Sequence, residues 1–501
     1  MDVKHQDSIF DVAHFSRVFT LSFIFASIAA ILLGIASSFS SPVRDSLVLK
    51  LQNQENLEDE LKMTIDQFKI FVGIFSIGAM FGSLFSTSIA ETAGRRGGMM
   101  IGAFVFMASV FCFTFTTDPH VAYFGRFLQG LGVGVAFSSA NIYISEISPS
   151  RFRASITSSL QVFVNFGQFL VNIIALYVTR LPKTAADADG HCDFKLLSWL
   201  LLIPSGLLFI SMYIFCPESP MWLARHNRNS VEAVKRARET LIRLRGSVDY
   251  VDVRDMEKLK KIAGESAYIN HQSTGFGNHV FSLKESILGS FSKLIRLLKM
   301  YKKQLFCAVG ILFFRLAIGL NLLNFYTEQI FSIIFKNQER THVWTSLFLA
   351  FGVIAACFSP LILNNFGRKS VYIFCCFVYA FGYFITAFGM FYPEYLSFSV
   401  VGLFLSYAAF SIGCGPVPYV IPPEILPVEA RSTGVGAGYA MLWLASFSVG
   451  TTLPDLERIF GGVSEEGVHR GLGFVFIFYG SIAVSAALFV YMFIPETKGG
   501  T

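Results

Sequence analysis

Twelve apolar runs of about 20 residues fill most of this 501-residue chain, and they leave few folds open to it. A run of that length crosses a hydrocarbon core of ~30 Å as a helix. Backbone groups in lipid have no water to bond, so a crossing segment has to satisfy them internally. The runs lie at about 17–40, 67–90, 97–117, 121–145, 155–180, 195–216, 304–332, 341–364, 370–392, 397–421, 430–453 and 472–494. Only 15% of residues are charged and 55 are Phe, against roughly 25% charged in soluble domains. So few charges cannot cover that much apolar surface in water. The reading is an all-α membrane protein with twelve transmembrane helices. Six runs precede the polar stretch 217–303 and six follow it, which divides the chain into 1–216, 217–303 and 304–501.

The two halves repeat one another. Glu146-Ile147-Ser148-Pro149 leads to Arg153, and Glu424-Ile425-Leu426-Pro427 leads to Arg431, with the two Glu 278 residues apart. Pro217-Glu218-Ser219 and Pro495-Glu496-Thr497 are also 278 apart, and Gly94-Arg95-Arg96 precedes them in order as Gly367-Arg368-Lys369 does. Duplicated halves in a membrane chain point to a carrier whose bundles rock about a midline site.

Charge sets the orientation. Arg95, Arg96, Arg151, Arg153, Arg368, Lys369, Arg431 and the basic stretch 225–303 fall on one side of the runs. Glu55, Glu58, Asp59, Glu60, Asp187, Asp189, Glu465 and Glu466 fall on the other. The positive-inside rule then places both termini and the central stretch in the cytoplasm. That rule accounts for the net charge of +6, so no nucleic-acid partner is implied. The eight cysteines show neither a CxxC nor a Cys/His cluster, which argues against a disulfide framework, a metal and a cofactor. No nucleophile–base set is present either, so an enzyme is not expected. Within the central stretch, Ala233, Ala237, Leu241 and Leu244 repeat at helical spacing among Lys235, Arg236, Arg238 and Arg243. They predict short amphipathic helices on the cytoplasmic face, either a solvated linker or a basic target for calmodulin-like proteins or anionic lipid. Residues 264–280 read as a flexible tether.

An ordered set of motifs then stands out. Gly125-Arg126-Phe127-Leu128-Gln129-Gly130-Leu131-Gly132-Val133-Gly134 is followed by Tyr143-Ile144-Ser145-Glu146-Ile147 and Pro217-Glu218-Ser219-Pro220 with Trp222-Leu223. The second half adds Gly415-Pro416-Val417-Pro418 before Glu424, and Pro495-Glu496-Thr497-Lys498-Gly499. From about residue 20 to 499 the chain resembles the sugar porter family, the glucose-transporter branch of the major facilitator superfamily. That resemblance implies two six-helix bundles, a cytoplasmic helical segment between them, and alternating access to one central site. It places Gln161 at a sugar-binding Gln of span five, and Asn321, Phe325, Tyr326, Tyr419 and Trp443 around the same site.

Span seven departs from the family pattern. Where the family reads Gln-Gln-Leu-Ser-Gly-Ile-Asn, this chain reads Arg315-Leu316-Ala317-Ile318-Gly319-Leu320-Asn321. Ser411, Gly352 and Ser446 also replace larger polar residues of the family. Eleven residues from Gln304, at 1.5 Å each, put Arg315 ~16 Å deep, near mid-bilayer. No Asp or Glu lies at that depth in any span, so Arg315 is expected either to rest on backbone carbonyls and orient a neutral polyol or to meet an anionic substrate. Proton-coupled members carry an Asp in span one where this chain has Ala36, which predicts facilitated diffusion without a proton.

The expected gates follow from the paired charges. Glu91, Arg95, Arg126, Glu146, Arg153, Glu218, Arg368, Glu424 and Arg431 are read as gating residues, with Glu146 and Arg153, and Glu424 and Arg431, as acid–base latches at the cytoplasmic ends. Gly413, Gly415, Pro416, Pro418, Pro422 and Pro423 should bend span ten, and Phe325, Tyr326 and Tyr419 should form an outer lid. Gly130, Gly132 and Gly134 should be close-packing positions. The reading is a monosaccharide carrier, in the plasma membrane, whose partners are a small polar solute and the lipid bilayer. A carrier of a small organic anion and a non-transporting nutrient sensor are the alternatives on the same scaffold.

Overall fold

Polar caps and prolines fix where the crossings begin. Thr64 opens a helix with a reciprocal box, accepting from Gln67 N–H at 3.2 Å while Gln67 Oε1 accepts from Thr64 N–H at 2.8 Å. Asp118 caps another start, with Pro119 at the first helical position, where its missing N–H costs nothing. The structure, a computed structural model, describes residues 16–48, 61, 63–149, 152–180, 193–226, 230–247, 255–257, 259, 300–335, 337–462 and 469–497. The 264–280 stretch and Cys192 lie outside them.

Labelled by crossing, the helices are α1 (Arg17–Ser38), α2 (Ile65–Thr92), α3 (Gly94–Thr114), α4 (Pro119–Ile147), α5 (Leu160–Arg180) and α6 (Leu202–Ile214). The second set is α7 (Lys302–Ala317), α8 (Gln338–Asn365), α9 (Arg368–Phe391), α10 (Leu396–Ala409), α11 (Val428–Ile459) and α12 (Arg470–Phe493). Shorter helices extend several of them. Among the described residues, 11 helical segments are long and apolar enough to cross a membrane. The twelfth, α11, has the length at 32 residues, but Gly, Ser and Thr dilute its apolar content. Each expected span is present within a few residues of its reading.

In the first bundle α4 packs on α2 and α3, and α1 on α5; in the second α9 packs on α10 and α12, and α7 on α11. The bundles meet along α2 with α11 and α5 with α8. As expected, the span-four glycines serve contact: a Cβ on Gly130 would stand 2.0 Å from the Phe75 carbonyl oxygen. The helix Ser230–Arg245 buries Ala233, Ala237, Leu241 and Leu244 and exposes Lys235, Arg236, Arg238 and Arg243. It is anchored to the first bundle, since Ser16 Oγ donates to Leu244 O at 2.8 Å and Arg245 donates to Ile147 O at 2.7 Å.

Two crossings are broken beside the molecular centre. Span seven stops at Ala317 and resumes as Leu320–Phe335, around Gly319 at φ +88°. A side chain there would be strained and would meet Tyr479 Cγ at 2.6 Å. The Gly319 carbonyl accepts from Leu322 N–H and from Tyr383 OH, both at 3.1 Å. Span ten passes from α10 through a wide π turn, Phe410–Cys414, and restarts after Pro416 as Val417–Ile425. Tyr419 N–H bonds Pro416 O at 3.0 Å, which leaves the Gly415 carbonyl outside the helical ladder. Non-helical backbone at membrane depth needs such a second partner.

Candidate substrate site and paired charges

The duplicated Pro-Glu-Ser/Thr tags clamp helix starts. Glu218 accepts from Arg95 N–H and Ser219 N–H, both at 2.9 Å, and from Arg96 N–H at 3.3 Å. Glu496 repeats this on α9, accepting from Arg368 N–H at 2.9 Å, Lys369 N–H at 3.2 Å and Thr497 N–H at 3.0 Å. A carboxylate there satisfies orphan donors at the positive end of the helix. Gly94 and Gly367 make room, because a Cβ on either would sit 2.2 Å from the carboxylate. Burial pushes the Glu218 carboxyl above its ordinary value, outweighing the N–H donors and Arg95 that pull it down.

One of the expected latches is not formed. Glu146 pairs with Arg95, not Arg153: Arg95 Nη2 meets Oε1 at 2.9 Å and Nε meets Oε2 at 3.0 Å, with Ser219 Oγ also bonded to the carboxylate. Glu424 pairs with Arg368 at 3.7 Å. The cause is helix packing. The Gly-Arg turns lie beside the ends of α4 and of Val417–Ile425, so each acid meets the base of its own bundle. Arg153 stands across the boundary as an electrostatic neighbour of Glu424, and Ser155 Oγ bonds Asn364 Oδ1 at 2.8 Å between the bundles. Glu91 is exposed, and its carbonyl accepts from Trp222 Nε1 at 2.9 Å. The side chains of Arg431, Phe325 and Tyr326 lie outside the described set.

Arg126 lies in the core rather than at a gate. It is 0% exposed, bonded to Gln129 and enclosed by Phe75, Phe71 and Phe39, with ring centroids at 4.6, 5.4 and 5.5 Å. Its Nε and Nη2 make no hydrogen bond. The aromatic faces offer the attraction that a carboxylate would otherwise supply.

Between the bundles, beside both helix breaks, is a cavity of about 30 Å³ bordered by Gln161, Gln168, Arg315, Asn321, Tyr419 and Trp443 among others. That volume holds about two water molecules. Arg315, 5% exposed, fills the middle. Its Nε donates to the orphaned Gly415 carbonyl at 2.9 Å, its Nη2 to Gln161 Oε1 at 2.9 Å, and its plane lies 4.3 Å from the Tyr419 ring. Of the two expectations for this Arg, the carbonyl-held one matches the geometry. Asn321 Nδ2 donates to Ser446, and Trp443 Nε1 to Ser83 Oγ at 3.1 Å. The Tyr419 ring lies tilted against Phe137 and Tyr439, five residues before Glu424, and borders the cavity there, so it floors the cavity instead of forming an outer lid. Among the described residues bordering the cavity, Arg315 is the sole charged one, and Ala36 is buried in α1.

Four polar residues of the centre escaped the sequence reading. Gln168 Nε2 donates to Asn324 Oδ1 at 3.0 Å, and Tyr407 OH donates to Gln168 Oε1 at 2.6 Å. Asn165 Nδ2 reaches the Gly352 carbonyl at 2.8 Å and Ser411 Oγ at 2.9 Å. The Tyr407 ring covers Gly352, where a Cβ would stand 2.0 Å from it. A signal existed: Gln161, Asn165, Gln168 and Asn172 form an amide stripe at helical spacing on an apolar span.

Other ties join the bundles at the end opposite these ion pairs. Lys69 Nζ meets Asp455 Oδ1 at 2.8 Å between α2 and α11, and Glu328 N–H donates to Ser41 Oγ at 3.3 Å. The seven described cysteines are free thiols.

Two six-helix bundles around a polar midline define a major facilitator fold, and solved structures agree. The proton:xylose symporter XylE bound to 6-bromo-6-deoxy-D-glucose superposes with a TM-score of 0.77 at 22% identity, covering 96% of this chain and 97% of that one. A partially occluded inward-open form of XylE from E. coli gives 0.70 at 21%, covering 97% and 100%. Residues 10–501 match the family described as "Sugar (and other) transporter", and the chain belongs to that family. It is a family of transporters, not enzymes. Relatives include sugar transporter ERD6-like 6 of Arabidopsis thaliana, 26% identical over 95% of this chain and 88% of the relative. The facilitated trehalose transporter Tret1 of Apis mellifera ligustica is 26% identical over 96% and 86%, and putative polyol transporter 2 of Arabidopsis thaliana 25% over 88% and 83%. None of these relatives is named as an organic-anion carrier or a nutrient sensor.

Proposed function

We propose that this protein carries a monosaccharide across the membrane by facilitated diffusion, alternating access to the midline cavity between its bundles. The observation that carries the reading is the amide-rich centre, where α5 of one bundle faces α7, α10 and α11 of the other. Sugars present adjacent hydroxyls that donate and accept together, and amide side chains match that pattern. Gln161, Asn321, Trp443, Tyr419 and Arg315 would bound the substrate, with Phe325 and Tyr326 from the second part of span seven. The Arg95–Glu146 and Arg368–Glu424 pairs, with Glu91, Arg153, Glu218 and Arg431 around them, would set how the cytoplasmic ends part. The bundles would span 1–216 and 304–501 about a cytoplasmic segment 217–303, with both termini cytoplasmic, in the plasma membrane. The relatives' names, sugar, polyol and trehalose transporters, define the panel to try.

The test is uptake by proteoliposomes of radiolabelled glucose, fructose, xylose, a polyol and trehalose, with Gln161→Ala alongside. Saturable uptake of a monosaccharide, weakened at least tenfold by Gln161→Ala, supports the reading. No uptake of any of them by the wild type would sink it. Uptake that follows an imposed pH gradient would refute the absence of proton coupling.

A further inference from the structure

Arg315 holds the two bundles together through contacts that a sugar would otherwise make. Its base is α7, in the second bundle. One guanidinium nitrogen bonds Gln161 Oε1 on α5 of the first bundle, and another bonds the Gly415 carbonyl of span ten, both at 2.9 Å. Its plane covers Tyr419 at 4.3 Å, with Phe410 at 5.4 Å. An amide acceptor and an aromatic face are what a polyol ring uses, and here one side chain of the protein takes both. With that side chain in place, cross-bundle bonds close the outer end at Lys69 and Asp455 and the cytoplasmic end at Ser155 and Asn364. The closed centre then keeps only about 30 Å³.

A carrier that works by facilitated diffusion has to pass through a form closed at both ends twice per cycle, once loaded and once empty. The loaded passage has substrate bridging the bundles. The empty passage needs another bridge, or the polar groups of the centre cross it unpaired. We propose that Arg315 is a tethered surrogate for the substrate, bridging Gln161 to Gly415 and Tyr419 so that the empty carrier can reorient. This rests on the reading of the cavity as the sugar site. The guanidinium suits the role because its planar fork bonds two acceptors while lying over a ring. The break at Gly415-Pro416 is part of the device, since it frees the carbonyl that Arg315 Nε holds. An arriving sugar must take Gln161 from Arg315, so the same residue raises the KM of the wild type.

The test compares two fluxes in one proteoliposome preparation: net uptake into sugar-free vesicles, and exchange into vesicles preloaded with the same sugar. The probe is radiolabelled glucose, or whichever sugar or polyol of the panel the wild type carries. Net uptake requires the empty return; exchange does not. Arg315→Met keeps length and loses every donor. Hydrogen bonds to a charged group contribute roughly 1.5–3 kcal/mol each, so loss of one such tie amounts to roughly ten- to a hundredfold. The ratio of exchange to net uptake should rise at least tenfold in Arg315→Met, with a lower KM, and fall part of the way back in Arg315→Lys, which restores one donor group. An unchanged ratio, with both fluxes falling together or neither falling, overturns the proposal. If Arg315→Met does not fold, the wild-type to Arg315→Lys comparison decides it by the same ratio. A wild type that moves no sugar in either mode overturns the underlying reading instead, so the two failures are distinguishable.

Discussion

Truncating Arg95 should cost far more than truncating Arg368, although the two residues occupy matching places in the repeat. Arg95 makes two contacts to Glu146, at 2.9 and 3.0 Å, and a third to the Ala90 carbonyl at 3.0 Å, with its side chain 5% exposed. Arg368 reaches Glu424 at 3.7 Å, beyond hydrogen-bond range, with the side chains 14% and 20% exposed. Breaking a buried pair leaves one charge uncompensated and costs about 3–5 kcal/mol, whereas loosely held or exposed pairs contribute about 0–1. Ser219 still donates to Glu146 when Arg95 is gone, so the lower end, about 3 kcal/mol, is expected for Arg95→Met. Arg368→Met should cost about 1 kcal/mol. At about 2–4 °C per kcal/mol for a unit the size of one bundle, the melting temperatures should fall by about 6–12 °C and about 2–4 °C. Double-mutant cycles with Glu146→Gln and Glu424→Gln, read by thermal unfolding of the purified protein in detergent, isolate the pair terms. Coupling should be about 2 kcal/mol in the first bundle and below about 1 in the second. Equal couplings, or a larger one in the second bundle, would refute the claim that contact geometry rather than sequence motif sets the strength of each latch.

Further predictions concern the same repeat and the centre. Gly94→Ala should destabilise more than Gly367→Ala, by about 1–2 kcal/mol, because both crowd a carboxylate but only Gly94 has a left-handed φ, +85° against −67°; melting temperatures that fall equally would contradict this. Because burial raises the Glu218 carboxyl above its usual value, protonation favours the folded form. Its contribution is therefore complete below the ordinary glutamate range and is lost as pH rises through the raised value. Relative to Glu218→Gln, the wild type should gain melting temperature as the pH is lowered from neutrality toward that range, and a constant difference across it would exclude the effect. Gly352→Ala should misplace Tyr407, whose ring lies 2.0 Å from the would-be Cβ, and raise KM several-fold through the lost Tyr407–Gln168 bond; unchanged uptake kinetics would show that Gln168 is not part of the site.

Much of this protein is determined along the chain, because the determining forces are local or periodic. Apolar runs of membrane length have to be helices, and the tags 278 residues apart reveal the duplication. The apolar stripe of Ala233, Ala237, Leu241 and Leu244 was legible for the same reason, since a helix repeats every 3.6 residues whatever it packs against. Partner choice was not legible. Glu146 and Arg153 stand together in one motif, yet Glu146 bonds Arg95, fifty-one positions away, because a side chain at a helix end meets whatever the neighbouring helix brings. Tyr419 turned out to floor the cavity and Arg126 to sit in a phenylalanine cage, and both outcomes depend on how helices rotate and cross. Arg315 shows the division best: sequence alone gave its depth and the absence of any acid at that level. Only the fold brought Gln161 from one bundle and the Gly415 carbonyl of a broken helix to the same guanidinium, because contacts between distant segments follow from packing, which no periodicity encodes.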